Sequence, residues 1–174
     1  SIGLLSCRPC PSGTYGEITG LSYETSCTKC AKGYFSDVEG ANSSTICSKC
    51  PHGTYASQTG SIECNRCPNG YVTSSTGSTT SLSCTPCPLG TYYELYMNET
   101  LNSTYGVCTD CPSGTYNPIH SSIGLLSCRP CPSGTYGEIT GLSYETSCTK
   151  CAKGYFSDVE GANSSTICSK CPHG

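Results

Sequence analysis

The sequence has no tryptophan, one methionine and only two phenylalanines. Large apolar side chains are therefore too few for a single apolar core to organise a chain this long. Charged residues make up 12% of the chain, about half of the roughly 25% usual in soluble domains. The formal net charge is −3 and no basic run occurs, which argues against a nucleic-acid partner. The longest apolar stretch, Ile2 to Leu5, falls far short of the ~20 residues that span a bilayer. This window thus holds no membrane-spanning segment and no signal-peptide pattern. The chain begins in mid-pattern, and the expectation is a piece of a longer array.

Cysteine is abundant instead. The 18 cysteines among 174 residues lie in the density range of a disulfide scaffold, and such usage belongs to an oxidising, extracellular compartment. They form nine C-x-x-C pairs: Cys7/Cys10, Cys27/Cys30, Cys47/Cys50, Cys64/Cys67, Cys84/Cys87, Cys108/Cys111, Cys128/Cys131, Cys148/Cys151 and Cys168/Cys171. Successive pairs are spaced by 20, 20, 17, 20, 24, 20, 20 and 20 residues. This periodicity defines modules at 7–26, 27–46, 47–63, 64–83, 84–107, 108–127, 128–147 and 148–167, with a ninth starting at 168–174. Each carries glycine at the third position after its second cysteine, and seven of the eight long enough to show it carry an aromatic two residues later. Val72 is the exception. Above this period lies a longer one, because Ser1–Gly53 recurs unchanged as Ser122–Gly174, offset by 121 residues or six modules.

Within a module, Pro after the cysteine and Gly two residues later mark a turn, and the following T-Y or Y-F dipeptide favours a strand. A polar stretch such as Ser36–Asn42 or Thr73–Thr80 reverses the chain toward the next cysteine. No helical periodicity is present. The expected fold is a small disulfide-rich β protein: an elongated tandem array of short, disulfide-closed β-hairpins with little or no helix. One such hairpin is marginal alone, and a disulfide across its base contributes about 3 kcal/mol in the chain-entropy model.

Spacing alone does not prove connectivity. The simplest pattern joins the second cysteine of each pair to the first of the next: Cys10–Cys27, Cys30–Cys47, Cys50–Cys64, Cys67–Cys84, Cys87–Cys108, Cys111–Cys128, Cys131–Cys148 and Cys151–Cys168. Cys7 and Cys171 remain, each expected to pair with a flanking repeat. C-x-x-C pairs also hold zinc, but the even spacing, the Pro-x-Gly-Thr-Tyr tail and the secreted composition favour disulfides. A redox C-x-x-C wants a strand-to-helix context that is missing here.

The pattern C-x-x-C-P-x-G-T-Y…G…S-x-x-C, with Phe35–Gly40 as its closest echo, resembles the cysteine-rich repeats of ephrin-receptor ectodomains. It is similar also to the first submodule of tumour-necrosis-factor-receptor domains. The resemblance covers the whole chain and implies stacked modules with hairpin-closing disulfides. Kinase, ligand-binding and membrane segments of those receptors have no counterpart, so receptor function is not carried over. Long runs of such modules are typical of large surface proteins of protists and algae, which implies a secreted or cell-surface protein of a eukaryotic microbe.

N-x-[ST] sequons stand at Asn42, Asn98, Asn102 and Asn163, in segments read as surface loops, where N-glycans form. The numerous Ser and Thr residues are further carriers for O-glycans, with no particular site marked. The aromatic series Tyr15, Phe35, Tyr55, Tyr92, Tyr116, Tyr136 and Phe156 is expected to pack on the disulfides and neighbouring hairpins, since a Tyr ring buries while its hydroxyl stays wet. The insert Tyr92–Met97 is a candidate lateral or subunit contact. His52, His120 and His173 fall in turns, Asp37 and Glu39 read as a solvated tip before a calcium site, and no catalytic constellation is visible. The expected protein is a non-enzymatic structural glycoprotein of a fibril, appendage or coat, with copies of itself or flanking repeats as partners. It needs no cofactor or metal beyond its glycans. The competing expectation is the stalk of a receptor or adhesin with a separate binding head. At the ~10 Å layer spacing of stacked hairpins, six modules advance on the order of 60 Å.

Overall fold

The computed structural model describes residues 8–17, 27–98 and 103–172. Among them the secondary structure consists of short strands and single turns of 3-10 helix, with no α-helix. The strands are β1 (Thr14–Tyr15), β2 (Thr28–Lys29), β3 (Tyr34–Phe35), β4 (Ser48–Lys49), β5 (Thr54–Tyr55), β6 (Asn65–Arg66), β7 (Tyr71–Thr73), β8 (Cys84–Pro86), β9 (Thr91–Asn98), β10 (Ser103–Asp110), β11 (Thr115–Tyr116), β12 (Arg129–Pro130), β13 (Thr135–Tyr136), β14 (Thr149–Lys150), β15 (Tyr155–Phe156) and β16 (Ser169–Lys170). They pair in chain order into eight two-stranded sheets. The fold is a small disulfide-rich β tandem array.

In six of the eight hairpins the return strand lies between the two cysteines of the following pair. Thr14 pairs with Lys29 and Tyr15 with Thr28; Tyr34 pairs with Lys49 and Phe35 with Ser48. A C-x-x-C pair therefore closes one hairpin with its first cysteine and opens the next with its second. Just before that first cysteine the chain makes a 3-10 turn, as at Ser44–Ile46 and Ser165–Ile167. Ser43 and Ser164 cap these turns by accepting from the backbone N–H groups of Thr45 and Thr166, which occupies a donor the short turn leaves free. Thr80 caps Ser81–Ser83 in the same way.

Module 5 departs from this plan. β9 and β10 form an eight-residue antiparallel ladder from Thr91↔Asp110 to Asn98↔Ser103. Its base is buried at Tyr92 and Tyr93, whereas Leu95, Tyr96 and Met97 are exposed. The segment expected as one lateral contact is thus divided, with two tyrosines in the core and the outer part in solvent. Tyr96 and Tyr105 face each other across the ladder with ring centroids 5.5 Å apart and planes inclined by 51°, an aromatic pair of the kind that stabilises sheets.

The chain divides into two compact units: Ser1–Cys67 with Val72–Thr85, and Pro68–Tyr71 with Pro86–Gly174. In each, the core is a string of small clusters centred on sulfur rather than one apolar interior. Cys30, Cys50, Cys87, Cys111 and Cys131 are all below 2% exposed. In the second unit, Tyr116 packs with Cys131, Leu142 and Cys148. The aromatic of module 6 thus rests on the disulfide of module 7.

Candidate functional site

Eight disulfides join Cys10–Cys27, Cys30–Cys47, Cys50–Cys64, Cys67–Cys84, Cys87–Cys108, Cys111–Cys128, Cys131–Cys148 and Cys151–Cys168. Their Cα atoms are 5.5–5.9 Å apart, inside the range a disulfide spans without backbone distortion. Cys171 is unpaired and half-exposed. Cys7 lies outside the described residues.

Successive modules interlock through backbone hydrogen bonds that recur at fixed places. The N–H of the glycine opening a hairpin donates to the carbonyl just beyond the next module's aromatic: Gly13 to Ser36 (2.7 Å), Gly33 to Ala56 (2.9 Å), Gly90 to Asn117 (2.8 Å) and Gly114 to Gly137 (2.7 Å). In return, the N–H at the tip of the later module donates to the second cysteine of the earlier one. Gly40 donates to Cys10, Gly60 to Cys30, Gly77 to Cys50, Gly141 to Cys111 and Gly161 to Cys131. Ser121, the one non-glycine residue with positive φ among those described (56°), fills this role for Cys87. A third bond runs from the residue after the aromatic to the residue after the tip, as from Gly16 to Ala41 and from Gly137 to Ala162, both 2.9 Å. Amides that two-residue strands leave unpaired are thereby satisfied.

These tips also reach the module two places back. A Cβ on Gly13 would strike the carbonyl oxygen of Gly60, and one on Gly33 the carbonyl oxygen of Gly77. In the second unit Gly90 stands in the same relation to Gly141, and Gly114 to Gly161. Each such contact involves three successive modules.

Two buried polar side chains join this lattice, one of them in place of a backbone carbonyl. At module 3 the Gly53 N–H donates to Thr73 Oγ1 (2.9 Å) rather than to a carbonyl, and that hydroxyl donates to Ser75 O (3.1 Å). Asn117 is 0% exposed. Its Nδ2 donates to Thr91 O (2.8 Å), while its Oδ1 accepts from the Ile119 N–H (3.1 Å) and from Ser122 Oγ (3.3 Å). A buried amide is tolerated because it is satisfied on both ends. Neither role was apparent in the sequence, where both residues sit in stretches rich in Ser, Thr and Asn.

Of the sequon residues, Asn42 and Asn163 are exposed. Asn98 ends β9, its side chain outside the described residues, and Asn102 lies outside them altogether. The aromatic series is graded: Tyr92 and Tyr116 are buried, Tyr15, Phe35, Tyr55 and Tyr136 half-buried, and Phe156 exposed. Burial pushes the Tyr92 hydroxyl pKa above its ordinary value, with the Glu94 carboxylate adding to the effect. His52 Nδ1 lies 3.3 Å from Thr73 O, and His120 Nδ1 3.4 Å from Cys87 O; His173 is outside the described residues. Asp37 and Glu39 are exposed. Among the described residues no group of three or more His, Cys, Asp or Glu side chains is placed to hold a metal ion, and no helix is long and apolar enough to cross a membrane.

Disulfide-closed hairpins interlocked module upon module define a cysteine-rich tandem-repeat protein. A family model described as "Tyrosine-protein kinase ephrin type A/B receptor-like" matches residues 41–84 and 99–148, more than half of the chain. The chain belongs to this ephrin-receptor-like cysteine-rich repeat family. No curated protein matches it closely enough to count as a relative.

Proposed function

We propose that the chain is an extracellular structural glycoprotein whose repeats build a fibril, surface appendage or coat. The observation that carries this reading is the interlock itself. Three kinds of backbone bond recur at most of the described junctions, and the same disulfide closes each hairpin, so an array can lengthen by whole modules through the same contacts. Proteins whose repeats touch mainly their neighbours are quasi-one-dimensional, and the unchanged recurrence of 53 residues at an offset of 121 gives such an object a long period. The cysteine density fits an oxidising location outside the cell, with copies of the chain or flanking repeats as partners along the fibril. Exposed Asn42 and Asn163 suit N-glycan attachment. The likeness of the modules to the first submodule of tumour-necrosis-factor-receptor domains, and an origin in a eukaryotic microbe, belong to the same proposal.

A second reading is favoured by the family match, since receptor ectodomains carry these repeats. The array would then be the stalk of a receptor or adhesin that binds through a separate domain. Electron cryomicroscopy of the native material, with and without reductant, separates the two. The fibril reading expects filaments with a regular axial period on the order of 60–100 Å, lost on reduction. Isolated short rods ending in a non-repetitive globular head would sink it and establish the stalk.

A further inference from the structure

The same hollow occurs twice, each time beside a sequon. In the first unit Tyr15, Cys30, Ala31, Tyr34, Ser44 and Cys47 enclose about 150 Å³ at the junction of modules 1 and 2. In the second, Tyr136, Ala152, Tyr155, Ser165 and Cys168 enclose about 160 Å³ at the junction of modules 7 and 8. The two share a sequence, so their agreement shows that the hollow forms in both surroundings. Each is an open cleft whose lining includes two tyrosines and a serine.

We propose that the innermost sugar of an N-glycan on Asn42 lies in the cleft between Tyr15 and Tyr34, and that of Asn163 between Tyr136 and Tyr155. This rests on the reading of the chain as a secreted glycoprotein. The sequon itself forms the cleft's edge, because Ser44, the hydroxyl residue of Asn42-Ser43-Ser44, is one of its walls. Asn42 is exposed two residues earlier. The preceding carbonyl, of Ala41, accepts from the N–H of Gly16, the residue next to Tyr15. The corresponding bond joins Gly137, next to Tyr136, to Ala162, next to Asn163. Attachment point and tyrosine are thus held side by side by the interlock, and the Ser43 and Ser164 caps fix the turn that follows. A pyranose offers one face of polarised C–H groups, which suits the electron-rich face of a tyrosine ring.

Modules 2 and 8 differ from the others where the cleft requires it. Modules 1, 3, 5, 6 and 7 carry threonine after the opening glycine, and its hydroxyl donates back to a proline carbonyl, as Thr14 does to Pro11 and Thr135 to Pro132. Modules 2 and 8 replace that proline by Ala31 and Ala152 and that threonine by Tyr34 and Tyr155. Ala31 and Ala152 line the cleft where other modules have proline, and Tyr34 and Tyr155 line it with a ring. Module 4 has the tyrosine, Tyr71, but keeps Pro68 and lacks the sequon. At the junction of modules 6 and 7 a hollow of about 280 Å³ has Arg129, Tyr144 and Glu145 among its walls. Glu145 stands there in the place of Ser44, Tyr116 is buried, and its hydroxyl donates to Glu145 Oε2 (3.2 Å). Protein groups engage the tyrosine where no sequon exists. Tyr34, by contrast, is only half-buried, and no side-chain hydrogen bond to its hydroxyl is present among the described residues.

The test uses the whole disulfide-bonded chain secreted from a eukaryotic host with isotope-labelled glycans. Glycopeptide mass spectrometry reads occupancy of Asn42 and Asn163, and NMR reads the ring-proton and N-acetyl shifts of the first sugars. The expected result is upfield displacement of those signals by the tyrosine ring currents. It is lost in Tyr34→Thr/Tyr155→Thr, which installs the residue five other modules carry, and kept in Tyr34→Phe/Tyr155→Phe. Enzymatic removal of the glycans lowers Tm by about 2–4 °C in the parent chain and leaves the threonine variant unchanged. Occupied asparagines with unshifted sugar signals overturn the cleft alone. Unoccupied asparagines at both sites overturn the cleft together with the glycoprotein reading.

Discussion

Replacing Cys131 and Cys148 together by serine is expected to unfold the hairpin of module 7. Closure of this 17-residue separation is worth about 3 kcal/mol in the chain-entropy model. The two-residue ladder of β13 and β14 supplies only a few backbone hydrogen bonds, each worth about 1 kcal/mol net, and no apolar interior makes up the difference. The loss extends to packing, since both sulfurs belong to the cluster with Tyr116 and Leu142. Amide hydrogen exchange reads the outcome by position. The Gly114 N–H, which donates to Gly137, the Asn117 N–H, which donates to Leu142, and the Gly161 N–H, which donates to Cys131, should lose protection by about 100-fold, the factor that roughly 3 kcal/mol represents. Amides of the first unit such as Gly33 and Cys50 should keep theirs, because repeats couple mainly to their neighbours. Unchanged protection around module 7 would mean that the hairpin stands without its staple, and the physical account of the fold would be wrong.

The second large effect comes from a contrast between two glycines inside the array. Gly33 and Gly124 both have positive φ, 80° and 76°. Alanine at either suffers that backbone strain, about 1–2 kcal/mol. Only at Gly33 does the new Cβ also meet Gly77, with its carbonyl carbon at 2.9 Å and Thr79 Cγ2 at 3.3 Å. A Cβ at Gly124 meets nothing within 4 Å. Gly33→Ala should therefore cost about 1–3 kcal/mol more than Gly124→Ala, the usual penalty for overpacking a close contact. Backbone strain common to both cancels in the difference, which reports only the contact between modules two apart. Exchange of the Gly77 and Cys50 amides, which donate to Cys50 and Gly33, measures it locally. Equal losses at the two positions would show that the contact with the module two places on does not form in solution.

Much of this architecture was legible in the cysteine spacing. Disulfide scaffolds declare themselves through composition, and a P-x-G-T-Y tail after each second cysteine locates the opening strand. Other features were hidden for physical reasons. A two-residue strand has no periodicity to read, so the return strand, inside the next C-x-x-C, carried no signal apart from the cysteines. The triple contact is non-local: Gly13 meets Gly60 and Gly33 meets Gly77, and recurring glycines at both places were visible without revealing which pair meets. Ser121 weakens even that clue by standing where the other tips have glycine. The division of Tyr92–Met97 into a buried base and an exposed outer part follows from the length of β9, which a local count of apolar residues did not reveal. Asn117 and Thr73 were lost among similar polar neighbours, since burial rather than residue type distinguishes them.

Consecutive pairs are stitched second cysteine to next first cysteine, which makes each hairpin a closed loop. Peptide mapping of the unreduced protein by mass spectrometry reads this connectivity. The expected result is cross-linked peptides joining Cys10 to Cys27, Cys30 to Cys47 and so on to Cys151 with Cys168. Cross-links inside single C-x-x-C pairs, or free thiols throughout, would overturn the stitched hairpin array.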